Sequence, residues 1–348
     1  MANAYTNHQK AITEVKINEM TKEMPAVIKT YFRSERSRRS HNTLLNYAYD
    51  LRLFFMFLVS DGQLFSGRDI KDLTASDFAV VSLNDIESFI EYIRLRAAYE
   101  GAREAYDENS ESRKLSAIRS FYKYMYVHEL IPENITEKIS MPKIHSKEVI
   151  YLDRDDIARL MDAVDYSESF SKHQQACLEK TRRRDMAIIL LLLATGIRES
   201  ELVGIDIGDI DFERNSFVIT RKGGNEATLF FNNSAKETLL EYLEERNQIV
   251  PYPGHEKAFF LSTQRKRISL DAVQRLVKKY ALAAGVRNAS KISPHKLRAS
   301  FATNLYRSEP DIYKVSKVLG HKSVTTSRRY VREAEDNNRQ AAEAVDWV

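Results

Sequence analysis

The segment from Ile292 to Tyr330 concentrates side chains that could act together on a phosphate group. His295 and Arg298 are three residues apart, and residues at this spacing share one face of a helix. An imidazole and a guanidinium that point at one anionic group form a clamp for charge that develops in a transition state. Tyr330 follows them, and its hydroxyl group can serve as a nucleophile. The segment therefore indicates nucleophilic attack on a phosphate.

A phosphodiester is anionic, so a protein that cleaves it must neutralise charge on the non-bridging oxygens. Arginine suits this task because its guanidinium is a planar fork of donors that stays charged at any working pH. Arg198 and Arg298 are the candidates for this role. Arg198 could instead form a surface salt bridge with Glu201 or Glu199. We favour the hypothesis that Glu201 orients Arg198 from behind while Arg198 contacts the phosphate.

The remaining steps of such a reaction need a base and an acid. A free phenol has a pKa of about 10, so attack by Tyr330 requires a group that removes its proton. His295 is the best-placed general base. The alkoxide that leaves needs a proton, for which Lys222 is the candidate general acid, although the adjacent Arg221 could also serve. His321 is expected to donate to a non-bridging oxygen, with a smaller effect on the rate.

Further motifs accompany these residues: TGIRESEL at 195–202, TRKGG at 220–224, and an L-G-H triplet that ends at His321. Together with H-x-x-R and the tyrosine, they resemble the tyrosine recombinase (phage integrase) family, and within it the small Xer-like members. The six family positions fall in family order and spacing on Arg198, Lys222, His295, Arg298, His321 and Tyr330. One H-x-x-R alone would mean little, but six ordered positions with their flanking residues are specific. The likeness covers most of the chain, from about residue 20 to about residue 335.

The resemblance implies a site-specific recombinase that cleaves and rejoins double-stranded DNA through a 3′-phosphotyrosine. It would bind two inverted-repeat half-sites on each DNA, join two DNAs as a homotetramer, and exchange strands through a Holliday junction. A partner recombinase could take part. The protein–DNA ester conserves the energy of the phosphodiester, so we expect no ATP requirement, and the sequence has no G-x-x-x-x-G-K-[ST] loop.

We expect no metal requirement either. Asp206, Asp209 and Asp211 alternate with apolar residues in a predicted turn before a strand. They could form the site of a metal-dependent nuclease, but this pattern favours a structural role. The sequence therefore predicts a reaction that proceeds without any cofactor.

Two other functions share some of these features. A type IB topoisomerase uses the same chemistry but relaxes supercoils as a monomer, and the short chain with a helical first domain argues against it. A DNA-binding protein that has lost catalysis would not need the complete residue set. The biological role stays open between chromosome-dimer resolution and recombination of a mobile element, since the target DNA cannot be deduced from the chain.

Length and composition predict a two-domain cytoplasmic protein. The 348 residues exceed one ordinary core, and 43% hydrophobic with 29% charged residues are typical of a soluble globular chain. The longest apolar run, Met186 to Ala194, is too short to span a membrane, and residues 1–20 do not resemble a signal peptide. A single cysteine, Cys177, excludes an internal disulfide and a cysteine-based metal site. The net charge of +4 weakly favours a nucleic-acid partner.

Hydrophobic periodicity predicts a mainly α-helical chain that divides at a proline-led linker. Residues 1–20 show no clear pattern and are expected to form an N-terminal arm. Residues 21–141 show only helical periodicity, and the resemblance assigns them to a SAM-like core-binding bundle that forms half of a clamp around DNA. The linker spans residues 142–149, and an α+β catalytic domain with a small antiparallel sheet spans 150–332. The tail, residues 333–348, could pack on its own domain, whereas the family exchanges it between protomers.

Several boundaries are also predicted. The first helix is expected over Met24–Phe32, and Asn42 or Thr43 is expected to cap the second. Strands are expected over Ser216–Thr220 and Ala227–Phe231, with Gly223 and Gly224 at the turn between them. Residues 166–184 fit either a helix or a loop.

Basic clusters suit contacts with the phosphate backbone of DNA. They comprise Arg33–Arg39, Arg182–Arg184 and Arg265–Arg267, and a solvated charged face is the alternative for each. The candidate DNA-binding residues lie on the polar faces of the first domain and beside Lys222. They are Arg38, Arg39, Thr43, Asn46, Arg113, Lys114, Arg119 and Arg221.

Overall fold

The computed structural model describes residues 4–99, 108–143, 145, 149–166, 170–221, 224–321, 323–328 and 330. These residues separate into two compact units, one from Ala4 to Ser146 and one from Lys147 onward. The first unit is built from helices, and the second combines helices with a three-stranded sheet. The predicted fold class, mainly α with a small antiparallel sheet, is confirmed.

An aromatic core holds the helical unit together. Its helices are α1 (Ala4–Lys22), α2 (Ala26–Glu35), α3 (His41–Val59), α4 (Ala75–Val80), α5 (Leu83–Tyr99) and α6 (Glu108–Val127). Phe121 on α6 lies edge-on to Tyr31, Phe55 and Phe78, with ring centroids 5.2 to 5.6 Å apart. Edge-to-face packing is a favoured arrangement of aromatic rings. These contacts fasten α2, α3, α4 and α6 to one another.

The start of this unit differs from the sequence-based expectation. Residues expected to form an arm without a pattern form α1, and Ile17 of this helix is buried in the aromatic core. The apolar residues of α1 do not recur on one face of the helix, so the sequence gives no helical signal there, and tertiary packing supplies the stability instead. Helix α3 is capped by Ser40, two or three residues before the predicted Asn42 or Thr43, because the Ser40 hydroxyl accepts a hydrogen bond from the Thr43 N–H.

A buried helix organises the second unit. The helices are α7 (Arg154–Asp165), α8 (Lys172–Glu179), α9 (Arg182–Thr195), α10 (Glu199–Val203), α11 (Asn233–Asn247), α12 (Leu270–Ala283), α13 (Pro294–Ser308) and α14 (Ile312–Leu319). Helix α9 contains the longest apolar run and packs against α7, α11 and α13. In the part of the chain that the structure describes, no helix has both the length and the apolarity needed to cross a bilayer. The undecided stretch 166–184 contains α8 and the start of α9.

The sheet is a short antiparallel meander. Its strands are β1 (Ile210–Asp211), β2 (Ser216–Thr220) and β3 (Glu226–Phe230), in that order. The predicted hairpin is therefore present, and β1 adds a strand that was not predicted. Thr220 pairs with Glu226, and beyond this pair the Arg221 N–H donates to the Asn225 carbonyl at 2.7 Å. Lys222 and Gly223, predicted to lie at the tip of this hairpin, are outside the described residues.

Candidate active site

Four of the six predicted catalytic residues, Arg198, Arg298, His321 and Tyr330, lie at or beside the C-terminal turn of α14. Gly320 ends this helix in the left-handed conformation, with φ of 63°, and the His321 N–H returns to the Ser316 carbonyl at 3.0 Å. Glycine is needed here for a second reason, because a Cβ on Gly320 would overlap the guanidinium of Arg221. A helix end leaves its last carbonyls without partners inside the helix, so this turn offers acceptors to incoming donors.

Arg298 lies buried against this turn, with 4% of its surface exposed. One guanidinium nitrogen donates to the Gly196 carbonyl. The other, Nη2, donates to the Leu319 carbonyl at 2.6 Å and lies 3.5 Å from Nε2 of His321. Burial, and then the nearby Arg198 cation, lower the pKa of Arg298 to about 10. The guanidinium therefore stays charged at neutral pH.

Arg198 reaches the same turn from a different element. It lies immediately before α10 and not inside a helix, and its backbone N–H and Nη1 donate to the two oxygens of Glu201 at 3.0 and 2.7 Å. Its Nη2 donates to the Gly320 carbonyl at 3.4 Å. Glu199 instead accepts from the Gln274 amide at 3.0 Å. The salt bridge between Arg198 and Glu201 is common to both interpretations, so the orienting role of Glu201 stays a prediction.

Gly196 brings the two arginines together. It ends α9 with φ of 60°, and a Cβ at this position would overlap the ring of Phe301. Its carbonyl accepts from Arg298, while Arg198 follows two residues later in the chain. The glycine of the T-G-x-R motif therefore serves both a tight turn and close packing.

His321 links the turn to the predicted nucleophile. Its Nδ1 lies 2.8 Å from the Ser327 hydroxyl, and its ring lies 6.2 Å from the Tyr330 ring at an angle of 22°. Tyr330 is 1% exposed, in a small apolar cluster formed with Ala299, Ala302, Val315 and Leu319. Sequence reasoning missed Ser327, because a serine six residues after a histidine follows no period that would place it at the ring.

The structure describes the predicted general base, His295, but not the predicted general acid, Lys222. His295 is the second residue of α13 and is exposed, one turn before the buried Arg298 on that helix. Its proximity to Arg298 follows the predicted spacing. Lys222 lies outside the described residues, so its role stays a prediction. Arg221, its neighbour, is partly buried and donates from Nη2 to the Val318 carbonyl at 2.9 Å.

Two adjacent DNA-binding candidates have different surroundings. The side chain of Arg38 is 76% exposed, with 3.7 Å between its Nη1 and Glu35. Arg39 donates to Glu35 at 2.5 Å, to the Tyr47 hydroxyl at 3.2 Å and to the Ser120 hydroxyl at 3.1 Å. Arg38 is thus accessible to a phosphate, whereas Arg39 joins α2, α3 and α6.

The candidates on α6 also have intramolecular partners. Arg113 forms an ion pair with the buried Asp50 on α3, although 40% of the Arg113 side chain is exposed. Lys114 donates to the Ser110 hydroxyl at 2.7 Å, and burial lowers the pKa of this lysine. The remaining candidates of this unit are partly or fully exposed: Thr43, Asn46 and Arg119.

In each of the two basic clusters of the second unit, one arginine forms contacts within the protein. Arg184 forms an ion pair with Asp185 at 2.6 Å and donates to the Leu261 carbonyl at 2.9 Å. Arg267 forms an ion pair with Asp206 and donates to two backbone carbonyls at 2.8 and 3.0 Å. These two arginines are structural, a role that was not among the alternatives for the clusters.

The three aspartates before the sheet are engaged in local contacts. Asp206 holds Arg267, Asp209 accepts from the Asp206 N–H at 2.8 Å, and Asp211 accepts from the Glu213 N–H at 3.0 Å. These contacts support the structural interpretation of the three carboxylates.

Solved structures share this architecture. The crystal structure of the XerH site-specific recombinase bound to a palindromic difH substrate, a post-cleavage complex, aligns with a TM-score of 0.63 and 21% identity. The alignment covers 87% of this chain and 80% of that one. At this level of identity the match shows the fold.

Sequence comparisons show the family. A model of the phage integrase family matches residues 151–337, and one of the phage integrase N-terminal SAM-like domain matches residues 29–129. Tyrosine recombinase XerC of Caldanaerobacter subterraneus is 34% identical, over 89% of this chain and 83% of its own. Tyrosine recombinase XerS of Streptococcus uberis is 30% identical, over 95% of this chain and 98% of its own. The chain therefore belongs to the phage integrase family, as an Xer-like tyrosine recombinase.

Proposed function

We propose that this recombinase cleaves and rejoins double-stranded DNA at specific sites through a covalent 3′-phosphotyrosine formed by Tyr330. The observation that carries the proposal is the convergence of Arg198, Arg298 and His321 beside Tyr330 at the end of α14. These groups supply cationic and neutral donors for the non-bridging oxygens as charge develops on them. Both guanidiniums are held by protein oxygens, so little reorganisation is needed when a phosphate arrives.

In the proposed step, the Tyr330 oxygen bonds to phosphorus as the bond from phosphorus to the 5′ oxygen breaks. His295 accepts the phenol proton, and Lys222 donates a proton to the leaving 5′ oxygen. Attack by a 5′-hydroxyl of another strand reverses these transfers and rejoins the DNA. Because one phosphoester replaces another, we propose that the reaction needs neither ATP nor a metal ion.

The buried position of Tyr330 adds a conformational requirement. Its ring is packed among apolar side chains of α13 and α14 beside His321. A phosphate held by Arg198 and Arg298 can be attacked only if it comes within reach of this buried hydroxyl. We propose that the packing around Tyr330 opens when DNA binds.

For the assembly, we propose a homotetramer on two DNA sites, each with inverted half-sites, and strand exchange through a Holliday junction. A partner recombinase could replace half of the subunits. The XerH complex with a palindromic substrate supports inverted half-sites by analogy. We further propose that the protein acts in the cytoplasm, where bacterial relatives would meet chromosomal DNA.

A nicked duplex that traps the covalent intermediate tests the chemistry. The wild-type protein should form an adduct with this substrate, whereas Tyr330→Phe should bind the same DNA with similar affinity and form none. Strand exchange by Tyr330→Phe would contradict the proposal. Absence of an adduct with the wild type would indicate a non-catalytic DNA-binding protein. An adduct accompanied by relaxation of supercoils, without exchange between sites, would indicate a topoisomerase.

The same assay tests the cofactor proposal. Adduct formation should continue in EDTA at an unchanged rate. A strict requirement for Mg²⁺ in strand cleavage would overturn the proposed mechanism.

A further inference from the structure

Three guanidiniums meet three successive carbonyls at the end of α14. Arg221 donates to the carbonyl of Val318 at 2.9 Å. Arg298 donates to that of Leu319 at 2.6 Å, and Arg198 to that of Gly320 at 3.4 Å. We call Arg198, Arg221 and Arg298 the turn arginines. The carbonyl end of a helix carries partial negative charge, which attracts cations, so this turn is a common support for all three.

Arg221 also directly follows strand β2 and forms backbone hydrogen bonds across the β2–β3 hairpin. Its N–H donates to the Asn225 carbonyl at 2.7 Å, and its carbonyl accepts from the Gly224 N–H at 3.0 Å. Its backbone is therefore fixed by the sheet while its side chain is fixed by α14. The guanidinium lies over Gly320 so closely that no Cβ fits between them. Arg221 thus connects two elements that are 97 residues apart in the chain.

From this contact we propose that Arg221 is a positioning residue, which holds the Val318–His321 turn so that Arg198, Arg298 and His321 face one phosphate. The inference rests on the proposed function, because it assigns Arg221 a part in that same reaction. Arg221 acts through the turn and touches neither the phosphate nor the leaving oxygen.

The surroundings of Arg221 favour this role over a direct contact with DNA. Its Nη2 is committed to Val318, and Nη1 lies closest to Gly320. Its Nε is buried, with no hydrogen-bond partner among the described residues. The contacts that the structure gives for this guanidinium are with the end of α14, whereas the Arg38 side chain is 76% exposed. The side chain of Arg221 therefore faces the protein.

The first experiment compares Arg221→Met with Arg246→Met in the full chain. Arg246 is a matched control, because it is buried and donates to the carbonyls of Ala258 and Glu256 at 3.1 and 2.7 Å. Single-turnover adduct formation on the nicked duplex is measured at a temperature at which both variants are folded. A misplacement of catalytic groups by about 1 Å costs about 100-fold, so Arg221→Met should be slower by about 10- to 100-fold, and Arg246→Met unchanged.

DNA binding by the same variants separates positioning from phosphate contact. Each lysine or arginine that neutralises a phosphate contributes about 0.9 to the slope of log affinity against log salt. We expect the slope of Arg221→Met to equal that of the wild type. A slope smaller by about one unit would overturn the inference, as would a wild-type rate of adduct formation.

A substrate with sulfur in place of the bridging 5′ oxygen tests the leaving group. A thiolate leaves without a proton, so this substrate should restore cleavage by Lys222→Ala, the proposed general acid. Arg221→Met should remain impaired, because the turn acts on the non-bridging oxygens. Recovery of Arg221→Met with the sulfur substrate would overturn the inference and would indicate a role in protonation.

A double-mutant cycle tests the contact between Arg221 and Gly320 under conditions in which all four proteins are folded. Gly320→Ala should impair adduct formation strongly in the wild-type background, because its methyl group displaces Arg221. In the Arg221→Ala background the same change should cost less, leaving mainly the strain of a positive φ. Equal costs in both backgrounds would contradict the inference. If the wild type formed no adduct, the proposed function would fail; if it did and these variants behaved normally, only this inference would fail.

Discussion

The helical unit and the active site hold their arginines in different ways. In the helical unit, Arg39 is paired with Glu35 and Arg113 with Asp50, so each guanidinium meets a carboxylate. At the end of α14, the turn arginines donate mainly to backbone carbonyls, and the carboxylate of Glu201 pairs with Arg198. A carbonyl orients a guanidinium without cancelling its charge. The first arrangement therefore builds a fold, and the second keeps positive charge available to an anion.

The physical reason lies in the partner's formal charge. A carboxylate a few ångströms away offsets the field of a guanidinium, whereas a carbonyl is a dipole whose field falls off quickly with distance. Concentrating cations in this way has a cost, since burial and the proximity of Arg198 lower the pKa of Arg298. The substrate phosphate would supply the missing negative charge, which is the differential binding that catalysis requires.

The largest expected effect comes from Arg298→Met. This change removes a buried cation from the proposed phosphate site, and adduct formation should fall by about 1,000-fold, equivalent to about 4 kcal/mol. The affinity for DNA should change much less. Single-turnover assays on the nicked duplex measure the rate, and gel-shift assays measure binding.

Arg113→Met is the control from the helical unit, since its guanidinium also has a buried partner. Its bound complex should react at the wild-type rate. If Arg298→Met reacted within tenfold of the wild type, carbonyl-held arginines would not be the source of catalysis, and the contrast between the two regions would fail.

The second effect concerns folding. Arg113→Met leaves the buried Asp50 carboxylate without its cation, and a loss of this kind in a fully buried pair costs about 3 to 5 kcal/mol. Because Arg113 is 40% exposed, solvent screens the pair, and we expect about 2 kcal/mol. Urea unfolding of the full chain measures the change. The double variant Asp50→Asn with Arg113→Met should be more stable than Arg113→Met alone, and equal stabilities would argue against the pair.

The sequence predicted the helices, the strands and the order of the site residues along the chain better than it predicted which groups form hydrogen bonds with one another. The stripe of Leu44 to Leu58 located α3, and of the two hairpin strands β2 has the predicted bounds while β3 begins and ends one residue earlier than predicted. Such regular elements can be recognised in a sequence because their apolar residues recur with a fixed period. Helix α1 was missed because its apolar residues do not recur with a helical period, and the helix is held by packing against α3.

Partners that come from distant segments leave no such signal. Arg38 and Arg39 are adjacent and identical in type, yet only Arg39 reaches Ser120, 81 residues away. Likewise, the motif predicted that Arg198 and Arg298 act together, but the carbonyls of α14 that hold them could not be deduced. Backbone acceptors are present at every residue, so only the fold decides which of them are used.

The third effect separates the two neighbouring arginines. Arg38→Met should weaken DNA binding by a few-fold and lower the salt slope by about 0.9, because an exposed guanidinium can neutralise one phosphate. Arg39→Met should leave the slope unchanged and lower the free energy of unfolding by about 1 to 2 kcal/mol through loss of its hydrogen bonds. Fluorescence anisotropy over a range of salt concentrations measures the slope. The opposite assignment of the two phenotypes would contradict the structure.

The smallest effect is a pH dependence confined to the helical unit. Burial raises the pKa of Asp50, and the Arg113 cation opposes this shift without cancelling it. The folded state therefore binds this proton more tightly than the unfolded chain, whose aspartate pKa is about 3.9. The contribution of Asp50 to stability is fully present below that pH and is lost as the pH rises through the folded pKa.

Asp50→Asn removes this titration, so the wild type should lose stability relative to the variant as the pH rises from 4 to 7. Urea unfolding of both proteins over that range measures the difference. A constant difference would mean that Asp50 does not titrate in this interval, and a difference of opposite sign would mean that Arg113 outweighs burial. Arg298, with a pKa of about 10, does not change charge over the same range. The charge of Arg298 is therefore constant over this range, whereas the partner of Arg113 is a carboxylate that can bind a proton. The two ways of holding an arginine thus also differ in their response to pH.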